Sequence, residues 1–436
     1  MSDLAEALLG PSPYRQYVYS YPHKTAYRPL APPADLAAAW AAEDRSRLFL
    51  YWHIPFCEMR CGYCNLFSHN GAAAETVTAY LDTLERQARV MADLLAPCRV
   101  VRMAVGGGTP TVLAPAQLDR LFTLARQAFG VTAVPVSVET SPNTITAERL
   151  RVLCDHGVTR LSVGVESFVP EELAGLGRPG RASADAALEL VRAAGFPQLN
   201  IDLIYGGTAQ TAATWQVSLE RAMAWRAEEV YLYPLYVRPL TGLHGRRSWD
   251  DHRRDAYRQG RDALLAGGYV QRSMRQFRRA DAPEPDAPAY ACQRDGMAGL
   301  GCGARSYAGP LHYSGDYAVR RDDVAAIVAD YIGTPEDGFR RAAHGIRLTE
   351  ADHARRWLLQ SLLHADGFHP ADYRAACGGE VLDDAPLLAR LAEAGLVRLT
   401  AENIALTADG LEWSDAIGPA LFDPRIQRLM DGFAWR

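Results

Sequence analysis

Lysine is almost absent from this chain: Lys24 is the only one in 436 residues, so nearly all of the positive charge is arginine. Lysine and arginine together number 46 against 51 acidic residues, a formal net charge of −5. That balance supplies no general basic field for a phosphate backbone, and nucleic acid is not expected as a partner. The arginine excess reads as compositional bias. Long apolar runs are missing too. None approaches a membrane span, and no membrane association is expected. The first ten residues carry Asp3 and Glu6 and no basic n-region, unlike a secretory leader. Eight cysteines in a chain of this length make no disulfide framework. Cys98, Cys154, Cys292, Cys302 and Cys377 are scattered and read as small core residues. A reducing, cytoplasmic setting is the expectation. No sequence repeat and no low-complexity tract is evident.

What remains is a chain with 48% apolar residues, enough for a large domain and a smaller one. Strand-like runs at Leu48–Ile54, Arg99–Val105, Pro135–Glu139, Arg160–Val165, Leu199–Ile204 and Val230–Leu235 alternate with amphipathic stretches. The latter are Glu75–Leu95, Pro115–Phe129, Ala147–His156, Ser183–Ala194 and Ala212–Ala227. Six βα units predict an α/β fold, a partial (β/α)6 barrel with right-handed crossovers. Residues 47–237 form this core. Residues 238–336 form an irregular bridging region that completes it, with one further strand around Tyr269–Phe277. Residues 337–436 read as helices followed by a short hairpin, a winged-helix-like α+β module that packs on or covers the core. Residues 1–46 form a lead segment rich in tyrosine (Tyr14, Tyr17, Tyr19, Tyr21 and Tyr27), either an extended arm on the main domain or a lid at its site.

Parallel barrels carry their chemistry at the C-terminal ends of the strands. Polar residues gather there in all six units. After the first strand come Cys57, Cys61 and Cys64, preceded by Tyr51 and His53. The second ends in Gly106, Gly107, Gly108 and Thr109, the third in Glu139, and the fourth in Glu166. Asp202 and Ile204 lie on the fifth, Tyr233 and Tyr236 at the end of the sixth, and Arg178 follows the fourth. Three thiolates with this spacing suit an iron–sulfur cluster with one iron left open, or a zinc site completed by His53 or His69. An open iron would accept an amine–carboxylate chelator such as the methionine end of S-adenosylmethionine (SAM). The glycine run lets backbone groups approach that end. The acids suit a sulfonium, an ammonium or ribose hydroxyls, and Arg178 a carboxylate. Tyr233, Tyr236 and His53 are candidate general bases.

The cysteine spacing, Gly106-Gly-Gly-Thr-Pro110 and Glu139 together resemble the radical SAM superfamily. Tyr51–Cys57, Arg160–Phe168, Asn200–Gly206 and Gly299–Ser306 resemble its oxygen-independent coproporphyrinogen III oxidase-like branch. The resemblance implies a [4Fe-4S] cluster on Cys57, Cys61 and Cys64. It implies SAM contacts at Tyr51, Gly107, Thr109, Glu139, Glu166, Arg178, Asp202 and Ile204, room for a second SAM in some members, and an external electron donor such as flavodoxin or ferredoxin. Glu166 stands where the oxidases carry glutamine, which bears on its SAM contact. Three departures bear on the reaction. Leu66 stands where the oxidases carry a fourth cysteine. Gly207-Thr208-Ala209 replaces a Leu-Pro, and both the arm Tyr14–Leu30 and Ser273–Phe277 look foreign to that chemistry. On these grounds the pattern is closest to the branch's methyltransferase and cyclopropane-forming relatives. The expectation is methyl or methylene transfer to an sp² carbon of a small or peptide-derived natural product. The alternatives are oxidative decarboxylation of a porphyrinogen or other haem-related chemistry, or a haem chaperone that is not an enzyme.

Overall fold

The computed structural model describes residues 2–178, 183–245, 252–283 and 290–435. Thirteen strands share one sheet: β1 (Arg28–Asp35), β2 (Leu48–Ile54), β3 (Val100–Gly107), β4 (Val136–Thr140), β5 (Arg160–Glu166), β6 (Gln198–Tyr205), β7 (Glu229–Pro234), β8 (Tyr269–Gln271), β9 (Gln276–Arg279), β10 (Met297–Leu300), β11 (Arg305–Ala308), β12 (Leu311–Ser314) and β13 (Arg341–Arg347). Their order across the sheet is β1-β13-β12-β11-β10-β2-β3-β4-β5-β6-β7-β9-β8. The middle six, β2 to β7, are parallel and follow one another in sequence order. This is the six-unit partial barrel that the alternating pattern implies.

Local sequence explains why these units form. In β2, Leu48, Leu50, Trp52 and Ile54 are fully buried, and the next residue, Pro55, cannot donate to a sheet ladder. The helix Pro115–Phe129 starts with proline in its first turn and stops at Gly130, whose φ of 64° is left-handed. Its buried face is Leu118, Leu121, Phe122, Ala125 and Phe129. That is one stripe of a 3.6-residue helix, and each large apolar chain contributes about 1.5–3 kcal/mol on burial.

The sheet is wider than the sequence suggests. The lead segment supplies a strand, β1, that pairs antiparallel with β13. It also supplies a helix, Leu36–Ala41, that buries Trp40. Pro29, Pro32 and Pro33 make β1 look like loop, but it lies on the sheet edge and its register shifts between Pro29 and Ala34, which accommodates them. Tyr269–Phe277 forms a hairpin, β8 and β9, rather than one strand. The stretch read as irregular contains β10, β11 and β12, with β10 parallel to β2. Strand β13 extends the sheet to Arg347, past the division at residue 337. Beyond it lie the helices Glu350–Leu362, Pro370–Cys377 and Leu387–Glu393 and the hairpin Val397–Leu399/Ile404–Leu406, a small helix-and-wing module with its own apolar core.

The arm between Gly10 and Tyr27 serves both elements. Val18, Tyr21, Ala26 and Tyr27 enter the core of the C-terminal module, and Tyr14 joins that of the barrel. Tyr17, Tyr19, His23 and Lys24 face the cavity between them. Among the described residues, no helix is long and apolar enough to cross a membrane.

Candidate active site

A cavity of about 1070 Å³ opens at the C-terminal ends of the parallel strands. Its wall includes Tyr51, His53, Cys57, Cys61, Cys64, Gly107, Gly108, Thr109, Glu139, Glu166, Arg178, Asp202, Ile204, Tyr233 and Tyr236. Gly106 lies behind the wall, where a Cβ would come within 2.7 Å of Glu139 Oε2.

The cysteine loop is tied down at its base. Phe56–Cys57 pairs with His69–Asn70, and the His69 N–H donates to the Pro55 carbonyl at 2.5 Å. The glycine run of β3 closes the other side: Gly108 N–H donates to the Ile54 carbonyl and Thr109 N–H to the Phe56 carbonyl, both at 2.8 Å. Gly107 has φ 117°, which L side chains rarely adopt. A Cβ on Gly108 would lie 2.8 Å from Cys57 Sγ and 2.5 Å from the Phe56 carbonyl oxygen. Gly108→Ala should therefore displace the first cysteine and lower iron content after reconstitution by half or more, with little change in helical circular dichroism. Full iron loading of that variant would contradict the contact.

The three thiols fit a cluster. All are free cysteines on one wall. Burial pushes Cys57 up to about 12 and raises Cys61 and Cys64, so iron binding must displace their protons. Among the described residues, no three His, Cys, Asp or Glu side chains converge on one point as a single metal ion requires. Of the two histidines offered to complete a zinc site, His53 is engaged elsewhere, with its Nδ1 3.3 Å from the Tyr51 hydroxyl and its Nε2 3.2 Å from the Phe67 carbonyl, and His69 is not on the cavity wall that the thiols line.

The acids differ in state. Glu139 faces the cavity and accepts the Gly107 N–H at 3.1 Å; burial raises its carboxyl. Asp202 accepts from the Ser162 hydroxyl at 2.9 Å and the Asn200 amide at 2.8 Å. Burial and the neighbouring Glu166 push it up to about 7. Glu166 itself sits at φ 65°, a costly conformation for a residue with a side chain. An arriving cation would favour the ionised form of Glu139 and Asp202.

Two expectations are corrected here. Arg178 does not offer a free fork to a ligand carboxylate. It donates to Glu166 Oε1 at 2.5 Å, the Gly164 carbonyl at 2.6 Å, the Tyr63 hydroxyl at 3.0 Å and the Ser141 hydroxyl at 3.1 Å, so it positions Glu166. The three general-base candidates also fail on chemistry. Burial drives His53 down to about 3, leaving a weak base. Burial raises Tyr233, which stays a phenol at neutral pH, and Tyr236 already donates its proton to Asp415. Arg238, Arg305 and Arg356 line the cavity without having been assigned a role from sequence. Arg305 lies inside the Gly299–Ser306 motif, the one signal that could have marked it.

A parallel partial barrel whose first strand end presents three cysteines, next to a glycine run and two open acids, defines a class: enzymes that use a cluster and SAM. The chain belongs to the radical SAM superfamily, in the branch of the oxygen-independent coproporphyrinogen III oxidases and their relatives. The superfamily match covers residues 51–222. Oxygen-independent coproporphyrinogen III oxidase of Salmonella typhimurium is 28% identical over 438 residues, 91% of each chain. Heme chaperone HemW of Escherichia coli is 30% identical over 270 residues, 59% of this chain and 69% of that one. The structure of coproporphyrinogen III oxidase (HemN) from Escherichia coli, titled a radical SAM enzyme, aligns with a TM-score of 0.79 at 26% identity, over 93% of this chain and 96% of the other. The cofactors are a [4Fe-4S] cluster and SAM.

These relatives overturn methyl or methylene transfer to a natural product as the expected reaction, since they are coproporphyrinogen III oxidases, matched along up to 91% of the chain, and haem chaperones, matched along little more than half of it.

Proposed function

We propose that this chain oxidatively decarboxylates a propionate side chain of a porphyrinogen, with coproporphyrinogen III as the reference substrate. One observation carries the reading. The likeness to the oxidases covers 91% of the chain in sequence and 93% in structure, so it reaches well beyond the barrel to residues of the C-terminal module that also wall the cavity. The likeness to the haem chaperones spans little more than half of the chain.

Bound together, a cluster and SAM would supply one-electron chemistry able to remove a hydrogen atom from the substrate. Cys57, Cys61 and Cys64 hold the cluster. Glu139 and Asp202 offer oxygens to the cationic and hydroxylated parts of SAM. Glu166, set by Arg178, adds a third carboxylate. Tyr17, Tyr19, Tyr233 and Tyr317 present flat, amphipathic faces to a macrocycle and exclude water. Each propionate that becomes a vinyl group gives up CO2, one hydrogen atom and one electron. The carboxylate leaves as CO2, so no general base is needed, in keeping with the states of His53, Tyr233 and Tyr236. The last electron goes to an external acceptor.

The test is anaerobic. Reconstituted protein receives SAM, a low-potential reductant and coproporphyrinogen III. Vinyl products and 5′-deoxyadenosine are quantified together. Decarboxylated product formed in step with 5′-deoxyadenosine supports the reading. Stoichiometric haem binding with no decarboxylated product would replace it with a chaperone role.

A further inference from the structure

Four cationic side chains on the cavity wall, Lys24, Arg238, Arg305 and Arg356, have no carboxylate partner among the described residues. Their neighbours are aromatic instead. Lys24 Nζ lies 3.5 Å from the centroid of the Tyr317 ring. The Arg305 guanidinium lies 4.7 Å from Tyr19, Arg356 lies 4.7 Å from Tyr307, and Arg238 lies 4.4 Å from Tyr236. Such contacts orient a cation without neutralising it. Arg305 also donates to the Ser20 hydroxyl, and Arg356 to the Cys292 carbonyl at 2.7 Å. Of the acids of the wall, Glu166 pairs with Arg178, Glu139 and Asp202 accept hydrogen bonds from neutral groups only, and Asp431 accepts from the Gln427 amide; no ion pair joins any of them, or Glu58, to these four cations.

Lys24, Arg238 and Arg305 are half-buried and Arg356 is buried, and a cation withdrawn from water is costly unless a counter-ion meets it. Burial, and then the charge of Arg305, drives the Lys24 amine well below its ordinary value. The same two cations act on His23 and His53, so they share one part of the cavity. Among the described residues no carboxylate pairs with them there, whereas the porphyrinogen of the reading above carries carboxylates on its rim. The composition adds weight. Arginine serves at every other basic position, and the single lysine stands in this wall.

We propose that Lys24 and Arg305, flanked by Arg238 and Arg356, form a carboxylate subsite that holds the acidic side arms of a tetrapyrrole and thereby sets which arm faces the cluster. This inference rests on the functional reading above. It makes the arm a part of substrate recognition, because Lys24 enters the cavity only when residues 10–27 are docked.

A single lysine makes the test direct. The reconstituted holoenzyme with SAM is treated with an acetylating reagent, and modification of Lys24 is followed by mass spectrometry. The probes are coproporphyrin III, the stable oxidised macrocycle, and its tetramethyl ester. Coproporphyrin III should protect Lys24, and the ester should not. Lys24→Met and Arg305→Met should each weaken coproporphyrin III binding by roughly tenfold or more, while Lys24→Arg should recover most of the loss because charge is the requirement. Equal affinity for the wild type and all variants, or equal protection by the ester, would sink the subsite alone. Absence of coproporphyrin III binding to the wild type would sink the functional reading and this inference with it.

Discussion

Replacing Cys57, Cys61 and Cys64 together with alanine should leave a folded chain that binds background iron and no longer cleaves SAM. The three side chains line the cavity rather than the barrel core, and none of the aliphatic or aromatic residues that bury β2 touches the change in kind. The loop keeps its backbone ties, from the Gly108 N–H to Ile54 and from the Gly62 N–H to the Leu176 carbonyl at 3.1 Å. Circular dichroism and the unfolding midpoint should therefore stay close to those of the wild type. The chemistry should not survive, because no other group in the wall can pass an electron to a sulfonium. With enzymatic accelerations of about 10⁶-fold or more at stake, 5′-deoxyadenosine formation should fall by at least ~1,000-fold. Iron analysis, the visible absorption of the reconstituted protein and chromatography of the nucleoside read the three parts separately. A triple variant that still released 5′-deoxyadenosine would overturn the assignment of the site.

The barrel was legible from sequence because its signals are local. Each strand is a short apolar run with a turn after it, and each helix carries one apolar stripe between a start and a stop. Pro115 and Gly130 delimit their helix to the residue. The flanks of the sheet were not legible, for two physical reasons. β1 contains Pro29, Pro32 and Pro33, and proline normally argues against a strand; only its place on an edge makes it tolerable. β10 is four residues long and ends in a glycine-rich loop, and what makes it a strand is parallel pairing with β2, more than 200 residues earlier. Nothing local encodes that partner.

The site was legible for a related reason. Residues at strand ends share a wall once the barrel is granted, and this placed the cysteines, the glycine run and the acids together. The identity of the reaction was not legible. The residues alone gave weight to Leu66, whose side chain is 53% exposed. They also gave weight to Gly207-Thr208-Ala209, a turn after β6 where Ala209 packs near Gly175. Single positions like these tolerate change. Likeness over nine-tenths of the chain constrains the cavity far more, and it is invisible within one sequence. The arginines of the cavity escaped notice because their role depends on the absence of acid partners, a property of three-dimensional packing.

Asp415→Ala should be the most destabilising single substitution at the seam between barrel and C-terminal module, costing about 3–5 kcal/mol. Arg275, in the turn between β8 and β9, forks onto the Asp415 carboxylate, with Nη1 to Oδ1 at 2.9 Å and Nη2 to Oδ2. Both side chains are nearly inaccessible, at 5% and 2%. Tyr236 donates to the same carboxylate, the Gln16 N–H donates to the Asp415 carbonyl at 3.0 Å, and the Tyr17 ring lies 3.8 Å from the Arg275 guanidinium. Four segments of the chain therefore meet at one ion pair. Removing Asp415 strands a buried guanidinium and a buried phenol, and that desolvation penalty dominates the loss. The double variant Arg275→Met/Asp415→Leu carries no stranded charge and should recover most of the stability, although it lacks the pair. Since Tyr17 and Tyr236 both line the cavity, the single variant should also raise the KM for porphyrinogen more than it lowers kcat. Urea unfolding of the two variants, with the wild type alongside, separates the terms. A loss below about 1 kcal/mol for Asp415→Ala would mean that water reaches the seam and that the arm and the C-terminal module are held by apolar packing alone.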